Sequence, residues 1–519
     1  MRRNHEEHEE HEESASRKGV FALLLCALCV LCGYRKESAV ASAPAADLPA
    51  PARYFEFRGS ASCASVACHN AAGPAGRRGS EYAAWINRDP HANAYSILYG
   101  NPSQQIVKRL YRLPDSVAPR PDTEALCLKC HGIDADAPER NARFAPADFG
   151  CESCHGPAEK WLSQHYLAGW REKSIRQKAE FGMRSTKDLL VRADVCVACH
   201  VGGPDREVNH DLIAAGHPRL QFEMSSFLAI LPKHWDGSEE KRRYPDLEVR
   251  TWAIGQAVSA RATLDQLAAR AEKSEVKVQS PRSKVQSPSD DLGLWTLDLG
   301  LSRPWPEFAE YDCFACHHDL QSPSWRQNRD LKRSAERTSS RPGSLSWGGW
   351  YLSMLPNAVA TIQPDGDSEL MALLADLRTE MARTYPSSQV VAARARMAGQ
   401  RLGFLSATLA RSRFDDAFTL NRLLAAVARD DRQVAQSSWD GAAQVYLALA
   451  AVYHAQGDLH KGRRLPGIRE PLNDMARLLA FPRPIGYTYN SPDERSYADG
   501  QQMFLDAMKN VQEQLGRLR

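Results

Sequence analysis

Two cysteines stand shortly ahead of a histidine at five places in this chain: Cys63/Cys68/His69, Cys127/Cys130/His131, Cys151/Cys154/His155, Cys196/Cys199/His200 and Cys313/Cys316/His317. In the last four the spacing is Cys-x-x-Cys-His, which lets two thiols bond the two vinyl groups of one porphyrin while the adjacent imidazole turns onto its iron. The first motif has two extra residues between its cysteines, so its loop must bulge. The spacing therefore predicts five covalently attached haem c groups, held by ten cysteines, with His69, His131, His155, His200 and His317 as proximal iron ligands. Of thirteen cysteines, only Cys26, Cys29 and Cys32 fall outside the motifs, which leaves none of the rest for a disulfide. A structural zinc knuckle is the plainer reading of a Cys-x-x-Cys pair. It needs four ligands converging on one ion and gives no reason for a histidine after every second cysteine.

An iron held by one imidazole has a sixth position, and whether that position is filled separates electron transfer from catalysis. Six further histidines lie between the first and last motifs or just after them: His91, His165, His210, His217, His234 and His318. Several sit in distinctive company, as in Trp85-Ile-Asn-Arg-Asp-Pro-His91, Trp161-Leu-Ser-Gln-His165 and Asn209-His210-Asp-Leu-Ile-Ala-Ala-Gly-His217. His91, His165, His210 and His217 form the predicted distal set; His234 and His318 stand outside it. His318 follows a proximal ligand directly and cannot reach back to the same iron.

The elements that must position these groups divide the chain in three. Residues 1–52 hold a thrice-repeated His-Glu-Glu, a basic flank, an apolar run from Val20 to Cys32 and an Ala/Ser/Pro-rich stretch. They read as a solvated tail, a signal peptide or anchor, and a linker, because about 13 apolar residues are few for a membrane span. Residues 53–345 form the haem-bearing domain, in which porphyrins supply the apolar filling and little strand signal is needed. Within it a helix is predicted from Val249 to Ala271. A disordered insertion is predicted over about 273–292, where a polar seven-residue unit repeats in tandem. Residues 346–519 lack cysteine and place apolar residues at helical spacing: Leu370, Leu373, Leu374, Leu377, Met381; Leu420, Leu423, Leu424, Val427; Val445, Leu449, Val452; Phe504, Met508, Val511, Leu515. Ser368 and Asp440 read as N-caps, and Pro386 and Gly457 as stops. The fold class is mainly α: a multihaem cytochrome c domain with little regular sheet, followed by an all-α bundle acting as a cap or docking module.

Net charge is +3 before cofactors, with lysine and arginine dispersed among acids, which argues against a nucleic-acid partner. Haem attachment to such motifs takes place outside the bacterial cytoplasmic membrane, so the chain is expected to be periplasmic or otherwise exported. Membrane association through the N-terminus is the alternative to a cleaved signal.

The segment Gly150-Cys-Glu-Ser-Cys-His-Gly-Pro157, with His165 ten residues past His155, resembles the third haem segment of the cytochrome c-554 family of multihaem electron carriers. The Trp85 to His91 stretch and the order of the first four motifs resemble it too, over roughly Ser60 to His217. The resemblance implies that His91 and His165 cross over to haems other than their sequence neighbours. It also implies an open or weak sixth position at His131. The longer first spacing, the fifth motif and the helical C-terminal part depart from that pattern. The expected function is single-electron transfer between redox partner proteins. The rival reading is a haem enzyme acting on a small nitrogen or sulfur compound at one five-coordinate iron, which would need an open site with proton donors and cations nearby.

Overall fold

A 29-residue helix, Leu247–Glu275, is the mast on which both halves of the protein are built. Its Trp252, Ile254, Ala257, Leu264 and Leu267 are fully buried. The helices Leu189–His200 and Met224–Ile230 from the haem-bearing segment pack against it, and so do Leu355–Ala360, Ser388–Arg411 and Trp439–Leu459 from the C-terminal part. One apolar core therefore runs from Leu189 to Leu515 without a break at residue 346. Close approach is bought with small residues: a Cβ on Gly255 would lie 2.6 Å from the Met224 Cβ, so only glycine admits the Met224–Ile230 helix there.

We describe a computed structural model, which covers residues 55–133, 149–275, 305–313, 316, 345, 347–430, 434–435, 438–459, 465–480 and 494–517. The N-terminal tail and nearly all of the predicted insertion at 273–292 lie outside these residues, as do His317 and His318. The described residues fall within one unit, Asp47–Arg519. They are mainly helical, with only the isolated bridges Gly203 to Arg206 and Tyr311 to Trp347. No described helix is long and apolar enough to cross a membrane.

In the C-terminal part the apolar spacing folds as the sequence predicts. The Ser368–Met381 helix buries Leu370, Leu373, Leu374, Leu377 and Met381 on one face, three and four residues apart. The caps differ in detail. Asp367 rather than Ser368 caps this helix, accepting from the Leu370 N–H at 3.0 Å. Asp440 is drawn instead into a tertiary contact, accepting from Arg219 at 2.8 Å and Gln221 at 3.0 Å, while Ser438 accepts from the Gly441 N–H. Gly457 does not stop its helix, which continues to Leu459. There burial of the surrounding turn outweighs the cost of about 1 kcal/mol that glycine imposes.

Candidate haem-binding site

Residues 55–188 build almost no apolar core of their own. Their one separate cluster is Ala158, Trp161 and Trp170, flanked by Leu162, Phe181 and Met183. In place of a core there is a cavity of about 3240 Å³, lined by the first four Cys/His motifs and by His91, His165, His217 and His234. A pocket for one small ligand or cofactor is about 300–1,000 Å³, so this space suits several.

The walls are set by capped helices and buried acids. The Leu189–His200 helix starts at Asp188, whose carboxylate accepts from the Leu190 and Val191 N–H groups, and ends on the ligand itself. Ala193 and Val197 face the apolar core, leaving Cys196, Cys199 and His200 toward the cavity. The third motif forms the short helix Cys151–His155, closed by Gly156 at φ +81°, where a Cβ would come 2.2 Å from the Gly182 carbonyl oxygen. Glu152, inside that motif and fully buried, accepts from the N–H groups of Arg58, Gly59 and Ala158 at 2.6 to 3.0 Å. It thereby ties the entry strand of the first motif to the third. The Cys63 and Cys151 thiols are consequently within hydrogen-bonding reach. Cys130 and Cys199 pair in the same way.

Four pairs of imidazoles face each other across this cavity. His69 and His165 have centroids 6.1 Å apart with rings nearly parallel, at 15°. His91 and His200 stand 5.7 Å apart at 88°, His131 and His217 6.5 Å at 79°, and His155 and His234 6.3 Å at 78°. A metal–imidazole bond of about 2 Å, with the ring centre about 1 Å behind its nitrogen, puts two trans imidazoles about 6 Å apart. All four separations fit that spacing. The His91 and His200 Nε2 atoms point at each other 3.4 Å apart, so they would have to part by about 0.6 Å to reach the roughly 4 Å that two such bonds need.

Hydrogen bonding fixes the tautomers that this requires. Nδ1 of His131 donates to the Ala94 carbonyl at 2.7 Å, that of His165 to Leu162 at 2.8 Å and that of His217 to Pro218 at 2.8 Å. His69 uses Glu81 at 3.1 Å and His91 uses Asp89 at 2.8 Å. With Nδ1 as donor, Nε2 keeps its lone pair for a metal. Burial pushes His155 and His200 down to about 4, helped by their histidine neighbours, so both are neutral bases at neutral pH. His91 shifts upward, because its hydrogen bond to Asp89 outweighs its burial.

His234, outside the predicted distal set, is the one that faces His155. Its position comes from both of its neighbours: the Lys233 ammonium and the Trp235 Nε1–H each donate to Glu240, with Arg192 completing the group at 2.6 Å. Nothing local in the sequence announces that tertiary contact. His210 faces none of the described proximal histidines. Its ring lies 5.8 Å from Phe308, five residues ahead of Cys313. His217, held by the Gly216 turn at φ +119°, is the imidazole that lies opposite His131, the residue at which the resemblance implies an open or weak sixth position. Cys63 is buried, while the extra residues of the first loop project outward, with Val66 71% exposed. Among the described residues no three Cys, His, Asp or Glu side chains converge as a zinc site would need.

This donor set, paired imidazoles with thiols beside them around one large cavity, has the chemistry that holding metal porphyrins would need. Residues 62–156 match the model of the family described as cytochrome c554 and c-prime, a likeness that implies covalently bound haem c for that stretch. The match takes in the first three motifs and His91 but ends before His165, His217 and His234. Neither a curated protein nor a solved structure matches the chain.

Proposed function

We propose that the chain is an exported electron-transfer protein carrying five haem c groups, four of them bis-histidine pairs: His69 with His165, His200 with His91, His131 with His217 and His155 with His234. The single observation behind this reading is the set of four facing imidazole pairs, each at the separation that one iron would bridge. Haem iron supplies the one-electron ferric/ferrous couple. The paired histidines would hold the iron, and Arg77, Lys129, Arg184 and Arg206 on the cavity wall would offer cations to propionates. The cysteine neighbours support the first motif lying beside the third and the fourth beside the second, because Cys63 meets Cys151 and Cys199 meets Cys130. For the fifth motif, Cys313 and Cys316 are the attachment residues and His210, beside Phe308, is the distal ligand. The partners are redox proteins outside the cytoplasm.

Mass spectrometry of the matured protein should give five haems. Low-temperature electron paramagnetic resonance of the oxidised form should give low-spin signals alone. A high-spin axial signal would count against the reading and for a haem enzyme with an open iron.

A further inference from the structure

The four imidazole pairs differ in what lies behind them. Asp89 is 5% exposed on its side chain, and its Oδ1 accepts twice from one residue, from the His91 backbone N–H at 3.0 Å and from His91 Nδ1–H at 2.8 Å. Asp89 caps the short 3-10 turn Pro90–Asn93, so both bonds are locked by the backbone. Among the described residues no lysine or arginine forms an ion pair with it. Glu81, the other carboxylate behind an imidazole, is different. It is 26% exposed, its bond to His69 is longer at 3.1 Å, and it also accepts from the Gly79 N–H at 2.8 and 3.0 Å. His131, His165 and His217 donate only to neutral carbonyls.

A carboxylate on Nδ1 gives the imidazole anionic character, strengthens its donation to iron and favours the ferric state. The effect grows as the charge is buried and left uncompensated. We propose that Asp89 sets the potential of the haem attached at Cys196 and Cys199, making it the lowest of the four. This rests on the bis-histidine reading above.

The test is a spectropotentiometric titration of the matured holoprotein. His91→Met first identifies the step that belongs to this iron; in the parent that step must be the lowest of the four. Asp89→Asn keeps a side chain able to cap the turn and removes the charge. The lowest step should move upward, the other steps should hold, and the mass should still show every haem. Asp89→Glu should restore the low potential. An unmoved lowest step in Asp89→Asn overturns the proposal, as does a lowest step in the parent that His91→Met leaves alone. Should Asp89→Asn lose haem, Asp89→Ser offers a second neutral cap, judged by the same shift. Failure of the underlying ligand reading looks different: His91→Met would then leave every low-spin signal of the parent unchanged.

Discussion

The stretch 55–188 and the helices from Leu247 onward solve the same problem in opposite ways. The helices bury their own side chains: Trp252, Leu370, Leu377, Leu402 and Phe504 are all under 1% exposed. The stretch 55–188, together with residues up to Tyr244, surrounds a 3240 Å³ space with imidazoles and thiols, and its separate apolar cluster has three members among the described residues. In one region the chain supplies the core, and in the other it supplies a mould for cofactors. The Leu189–His200 helix belongs to both, with Ala193 and Val197 turned to the core and His200 to the cavity. The two regions should therefore respond to different injuries.

The largest difference should come from withholding haem. Expressed without the attachment machinery, residues 55–188 should be cut freely by protease, while a fragment from about Leu247 to the C-terminus persists. Limited proteolysis read by mass spectrometry checks this, and equal resistance along the whole chain would erase the distinction. The converse injury is Trp252→Ala. It opens a cavity in the mast and should cost about 3–5 kcal/mol in a denaturant titration followed by far-UV circular dichroism. The haem spectrum of the native state should be unchanged. A changed Soret band would mean that the mast also sets haem geometry.

Glu152 should act within the mould. Replacing it by Gln removes the charged acceptor from three N–H groups and turns an amide donor toward at least one of them, a loss of about 1–3 kcal/mol. Since the same carboxylate draws Arg58 and Gly59 to the third motif, the variant should also attach haem incompletely at Cys63 and Cys68. Peptide mapping of the matured protein shows which motif is empty. Loss spread evenly over all motifs would remove this role from Glu152.

How much of this was legible in the sequence follows the same division. The motifs specify attachment chemistry locally, so their cysteines and proximal histidines can be read off directly. The bundle's periodicity is equally local, which is why Leu370 to Met381 and Phe504 to Leu515 fall on buried faces. The facing of histidines is a tertiary property. His234 owes its place to Glu240 and Arg192, and His217 owes its place to a glycine turn, so neither pairing has a spacing rule. Asp440 reads as a cap because capping chemistry is local; Arg219, more than two hundred residues away, is what holds it. Nor does any pattern single out Glu152 or Asp89, since both act through backbone and side-chain groups that only the fold brings near.

The smallest expected effect sharpens the comparison most, because it applies one chemical change to both regions. Asp188 and Asp367 are both N-caps, the first accepting from Leu190 and Val191 and the second from Leu370. An aspartate cap replaced by alanine costs about 0.5–2 kcal/mol. Asp367→Ala should fall at the upper end, since Asp367 is 3% exposed and also accepts from Arg401 at 2.8 Å. Asp188→Ala should fall at the lower end. Its helix carries Cys196 and Cys199, and once both are bonded to a porphyrin, the far end of a twelve-residue helix is covalently restrained in folded and unfolded states alike. Fraying at the N-terminal turn then forfeits one cap and little else. Denaturation of both matured variants, followed at a helical wavelength, measures the difference. If Asp188→Ala costs as much as Asp367→Ala, cofactor attachment does not stabilise the helix that bears it, and the mould depends on ordinary helix energetics after all.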